Sequence, residues 1–148
     1  MIFVDTNYFL RLLNDDKSAL HKKATDFFIK AASGKGNYMT SHLVIFEIYW
    51  VLKSFYHQDK IRLVSMIGSI LKMDCIEIEA RIQLLEALAL FSESSLEFED
   101  CYHIQIAKSA KCTNIATFDT KLFRAYVLEK VDFSKGKDFE KVAKKLGL

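Results

Sequence analysis

The chain has 148 residues and 51% hydrophobic content, which fits one compact domain with a sizeable core. A 27% charged fraction and twelve Phe exclude a disordered chain, and a net charge of +2 excludes a globally basic nucleic-acid binder, so any such contact must use local patches. No apolar stretch is long and clean enough to span a bilayer, and the opening MIFVDTN is too short an apolar run for a signal peptide; no membrane partner and a cytoplasmic location are expected.

Ile2–Asp5 (IFVD) reads as a short buried strand ending in an acid. Asn7–Leu13 continues with apolar residues at helical spacing. The spacing predicts a second helix over Ser18–Ala32, with Phe27, Phe28 and Ala31 on one face, closed by the loop signal Ser33-Gly34-Lys35-Gly36. Asn37–Ser41 (NYMTS) suits a second strand, and helices over Leu43–His57 and Ile61–Lys72 follow. Cys75–Ile78 (CIEI) reads as a third strand and Glu79–Phe91 as a helix of high propensity. Ser94-Ser95 is expected to cap a helix over Leu96–Ala110. Asn114–Thr117 (NIAT) reads as a fourth strand, Asp119–Ala125 begins a helix, and Val131–Phe133 reads as a last short strand. From Lys135 the tail carries five lysines against two acids at helical spacing, which suits a solvated helix or contact with an RNA backbone.

Short apolar strands alternating with helices imply an α/β protein with a parallel sheet and helices on both faces. No repeat, low-complexity tract or linker divides the chain, so a single domain over residues 1–148 is expected. Cys75, Cys101 and Cys112 are an odd set without CxxC spacing, expected as core thiols in a reducing compartment. The four histidines show no ligand spacing, and His103 is read as structural.

The acids carry the chemistry. In such a sheet, ligands bind beyond the carboxyl ends of the strands. Asp5 ends the first strand, Asp119 lies two residues past NIAT, and Glu47 lies in the helix after NYMTS. Asp100 lies near the start of a later helix, with Glu97 three residues before it. Asp5 and Asp119 also suit helix caps, and Asp100 a solvated face. Glu47 is the single charge in LVIFEIYWVL, Leu43–Leu52, and its helical neighbours Leu43, Val44, Trp50 and Val51 offer no counter-charge. An unpaired buried carboxylate is costly, so a distant cation or a metal shared with the other acids is expected to stabilise it. An all-oxygen donor set favours Mg²⁺ or Mn²⁺ over zinc. Either ion activates water and stabilises a phosphodiester under in-line attack. No Ser-His-Asp set, Cys-His set, P-loop or GxGxxG competes with that reading.

VDTN with YFLRLL, SHLVIFEIYWVL, EFEDCYHIQIA and NIATFDTKL, in this order, resemble the four motifs of PIN domains over residues 2 to about 133. The resemblance implies a three-layer α/β/α sandwich with a central parallel sheet. It implies a metal-binding catalytic quartet of Asp5, Glu47, Asp100 and Asp119, with Asp5 and Asp100 the most direct ligands. Thr6, Asn7 and Thr117 match supporting polar positions, and Glu97 a position often acidic in the family. The small size and early first motif are similar to VapC-type toxins of bacterial type II toxin–antitoxin pairs. This implies a Mg²⁺-dependent endoribonuclease with an RNA substrate, a cognate antitoxin and a homodimer. No further acid follows closely behind Asp119, a departure that leaves few fifth-ligand options. A non-catalytic PIN-like binding module and a PIN nuclease of RNA processing are the alternatives. A phosphotransfer protein is disfavoured: a haloacid-dehalogenase-type phosphatase wants a second Asp where Asn7 stands. The aromatics Phe46, Tyr49, Trp50, Phe55 and Tyr56 exceed what one core face needs, and a dimer or antitoxin groove would account for the surplus.

Overall fold

The structure, a computed structural model, describes residues 1–14 and 16–130. The elements are β1 (Ile2–Phe3), α1 (Thr6–Leu13), α2 (Ala19–Ala32), β2 (Tyr38–Thr40), α3 (His42–Ser54), α4 (Lys60–Leu71), β3 (Glu77–Ile78), α5 (Arg81–Glu93), α6 (Phe98–Ser109) and α7 (Thr120–Lys130). The predicted strand at Val131–Phe133 and the Lys-rich tail lie outside the described residues.

Local chemistry explains most helix starts. Asp5, Ser18, Ser41 and Asp59 each precede a helix in extended conformation, and each accepts a hydrogen bond from a first-turn backbone N–H. α5 starts differently: Ala80 is left-handed, with φ 55°, and gives no side-chain cap. α6 does not start on the expected Ser94-Ser95 cap. Its N-cap is Glu97, whose carboxylate is drawn away from the helix by Lys53 and Tyr49.

The strands pair in parallel in the order β1-β2-β3, with Ile2 opposite Tyr38 and Thr40 opposite Ile78. Backbone bonds carry the pairing beyond the strands, from Val4 N–H to Met39 and from Glu79 N–H to Thr40. The buried Thr40 hydroxyl donates to the Val4 carbonyl at 2.9 Å and pins the carboxyl end of β1 to β2. The chain thus has the expected class: helix layers around a central parallel sheet. The predicted fourth strand does not form; Asn114–Thr117 is irregular. Its side chains bond locally instead: Asn114 accepts from Ile115 N–H and Thr117 from Asp119 N–H, in competition with a ladder.

The core runs from Val4 and Phe9 through Ile45, Ile48 and Tyr49 to Ile67, Leu84, Phe98 and Ile104, all nearly without exposure. Cys101 is buried, Cys75 partly so, and Cys112 exposed, so only one of the three thiols matches the core expectation. No helix among the described residues is long and apolar enough to cross a membrane.

Candidate functional site

Parallel pairing puts the carboxyl ends of the three strands on one edge. Asp5 follows β1 there. Its Oδ2 accepts from Asn7 N–H at 3.2 Å and from Asn7 Nδ2 at 3.0 Å, while its Oδ1 takes no hydrogen bond among the described residues. One oxygen therefore fixes the carboxylate and the other stays available to a ligand.

α3 leaves the same edge after β2. Glu47 corrects the sequence expectation, because it is exposed. The apolar run is not buried all round: Leu43, four residues before, and Trp50, three after, share its face and are 68% and 45% exposed. Water stabilises this carboxylate, and neither a buried counter-charge nor a metal is required to explain its presence. It is nonetheless held. The buried Thr6 hydroxyl donates to Glu47 Oε2 at 2.5 Å. Thr6 thus links the Asp5 turn to α3.

Asp119 repeats the arrangement of Asp5. Its Oδ1 accepts from Lys121 N–H at 2.8 Å and Leu122 N–H at 3.1 Å, capping α7, and Thr117 Oγ1 accepts from Asp119 N–H at 3.0 Å. Asp119 Oδ2 takes no hydrogen bond among the described residues. Asp100 is half-buried in the first turn of α6, with no hydrogen bond among them either. None of Asp5, Glu47, Asp100 and Asp119 is paired with a Lys, Arg or His among the described residues.

A PIN domain model matches residues 2–128. The chain belongs to the PIN domain family. Among solved structures, Mycobacterium tuberculosis VapC20, described as a sarcin-ricin loop cleaving toxin, is similar at 23% identity over 84% of this chain and 95% of that chain, with a TM-score of 0.40. No curated protein matches the chain significantly.

The donor chemistry of this PIN domain suits a hard divalent cation: four carboxylates without a cationic partner among the described residues, each with at least one oxygen that takes no hydrogen bond among them. The geometry is looser than the donor set. Among the described residues, no three His, Cys, Asp or Glu side chains are grouped to hold one metal ion. Thr6 brings Glu47 to the Asp5 turn; no hydrogen bond ties Asp100 or Asp119 to that pair.

Glu97 is engaged elsewhere. Lys53 Nζ and the Tyr49 hydroxyl both donate to its Oε2, and the Lys53 bond, then the Tyr49 bond, hold its carboxyl below the usual range. Burial, then the Glu97 hydrogen bond, pushes the Tyr49 hydroxyl well above its usual range.

Sequence reasoning passed over Glu99, between Glu97 and Asp100. Both its carboxylate oxygens are buried without a hydrogen-bond partner among the described residues. Burial raises its pKa, and Glu97 and Asp100 raise it further. Only the three acids in four residues hinted at an unusual carboxylate there. His42, at the start of α3, meets Glu79 at 2.8 Å and stacks on Tyr102 with ring centroids 5.6 Å apart. This pair braces the strand edge beside β3 and also escaped the sequence reading.

Proposed function

We propose that this PIN domain is a Mg²⁺- or Mn²⁺-dependent endoribonuclease acting as the toxin of a VapC-type toxin–antitoxin pair. The observation that carries the reading is the Thr6–Glu47 bond, which fixes a second carboxylate-bearing helix beside the Asp5 turn while no cation among the described residues pairs with either acid. The family's motif order supports adding Asp100 and Asp119 to the set. Asp5, Glu47, Asp100 and Asp119 would hold the ion, Asp5 and Asp100 most directly.

A bound divalent ion supplies charge stabilisation at the phosphodiester and lowers the pKa of water. The protein's own residues do the positioning. Asn7 holds one oxygen of Asp5 so that the other faces a ligand. Thr6 fixes the rotamer of Glu47 and Thr117 supports the Asp119 turn. Glu97, held by Lys53 and Tyr49, braces the start of α6 and so the place of Asp100. The substrate is RNA, the location cytoplasmic, and the partners a cognate antitoxin and a second copy of the chain. Of the surplus aromatics, Trp50 on α3 and Phe55 just after it are exposed, and they offer apolar area for the homodimer.

The test is RNA cleavage by the purified chain with Mg²⁺ or Mn²⁺, with chelator, and by Asp100→Asn. The reading requires cleavage that needs metal and is lost in the variant. Folded, metal-loaded protein that leaves RNA intact defeats it and favours a non-catalytic binding module.

A further inference from the structure

α1 and α2 enclose a cleft of about 230 Å³ lined by Asn7, Tyr8, Arg11, Leu20, Lys23 and Ala24. It opens beside the candidate site, because Asn7, which forms part of its wall, also holds the Asp5 carboxylate at 3.0 Å. Two of its six lining residues are cations and none is an acid. Tyr8, Leu20 and Ala24 give it an apolar side; Leu20 is 53% exposed at its rim. The volume lies below the roughly 300–1,000 Å³ of a complete small-molecule pocket, so it suits one unit of a longer molecule. We propose that this cleft is the subsite for a nucleotide flanking the scissile bond in single-stranded RNA, with Arg11 and Lys23 on its phosphate and Tyr8 and Leu20 against its base and sugar.

The charges are suited to that occupant. Lys23 is exposed and makes no hydrogen bond or ion pair among the described residues, so its ammonium is available. Arg11 pairs with Asp16 through one nitrogen at 3.3 Å, with the two side chains 44% and 33% exposed. Such a surface pair is weak, and the guanidinium keeps further N–H donors for a phosphate. Arg11 stands one turn beyond Asn7 on α1, about 6 Å along the axis, which places its charge away from the reacting phosphate rather than on it. The walls are fixed. His21 Nδ1–H on α2 donates to the Arg11 carbonyl at 2.8 Å, and the Tyr8 ring packs on Phe27 with centroids 4.7 Å apart. An apolar surface with cations at its rim is how proteins take single strands without reading sequence.

The inference rests on the nuclease reading. Its test is binding of a short, 5′-labelled single-stranded RNA in chelator across a salt series, using the wild type, Lys23→Gln, Arg11→Gln and the distant control Lys72→Gln. Cleavage by the wild type with Mn²⁺ is measured beside it. Lys23→Gln and Arg11→Gln are each expected to weaken binding about fivefold and to reduce the slope of log K against log salt by ~0.7, the release expected for one phosphate contact. Lys72→Gln should bind as the wild type does. Lys23→Gln removes no hydrogen bond or ion pair among the described residues, so its unfolding curve should overlay that of the wild type and exclude misfolding as the cause. If the wild type cleaves RNA but both cleft variants keep its affinity and salt slope, the subsite falls and the nuclease reading stands. If the variants keep RNA affinity but lose a protein partner, the cleft is a protein-docking site and the proposal is overturned. If the wild type cleaves nothing, the nuclease reading fails and this subsite with it.

Discussion

The Thr6 hydroxyl and the Glu47 carboxylate meet at 2.5 Å across 41 residues of sequence. Thr6 is buried and Glu47 exposed, so the rigid partner orients the mobile one. Thr6→Val keeps the shape and removes the donor. Stability is expected to fall by only about 1 kcal/mol, since water replaces the lost donor at Glu47. RNA cleavage is expected to fall about tenfold, as Glu47 samples other rotamers. Thr6→Ser should restore most of it. Denaturant unfolding beside cleavage rates checks both numbers; unchanged cleavage in Thr6→Val would show that Glu47 needs no fixing.

Ala80 begins α5 with φ 55°, in the left-handed region where a Cβ is strained. Ala80→Gly should relieve that strain and outweigh the extra flexibility of the unfolded chain, raising stability by about 0.5–1 kcal/mol. The thermal midpoint decides; a lowered midpoint would mean that the alanine methyl packs more favourably than its backbone is strained.

Much of the frame was legible because local signals agreed with one another. Ser18 and Asp59 lie just before apolar periodicity, and both cap helices as that placement implies. Short strands ending in polar residues placed Asp5 at the sheet edge. Two readings failed for physical reasons. The apolar run around Glu47 implies burial, but a helix covering one flank of a small core leaves a stripe in water, here Leu43, Glu47 and Trp50. NIAT has a strand-like composition, yet Asn114 and Thr117 satisfy backbone groups locally. The cleft cations were illegible for another reason. Arg11 and Lys23 come together only through the packing of α1 on α2, which the spacing of charges in sequence does not encode.

Arg81 closes the end of α4 from a distance. Its guanidinium donates to the carbonyls of Leu71 at 2.6 Å and Met73 at 3.0 Å, and also to that of Ile76. Leu71 ends α4 and the other two carbonyls lie in the segment after it, so one side chain satisfies carbonyls there as a C-terminal cap would. Arg81→Ala is expected to destabilise the fold by about 2–3 kcal/mol. Arg81→Lys should recover only part of this, because an ammonium cannot reproduce the planar fork. Urea unfolding of the three proteins provides the comparison, and a Lys variant as stable as the wild type would show that charge alone suffices.

Glu99 offers a pH signature. Burial is the main cause of its raised pKa, and neither oxygen has a hydrogen-bond partner among the described residues. The folded protein holds this proton more tightly than the unfolded chain does. Between the unfolded and folded pKa values the native state therefore binds more protons, and stability falls as pH rises through that interval. Glu97 acts in the opposite sense, since its pKa is lowered: its contribution is present above the unfolded pKa and fades as pH falls. Glu99→Gln removes the first effect and leaves the second. The variant should be more stable than the wild type at pH 8, with the difference shrinking as pH falls toward the ordinary carboxylate range. Denaturant midpoints for both proteins from pH 4 to pH 8 test this. Parallel curves would mean that Glu99 ionises without cost in the native state and that its oxygens find partners in solution.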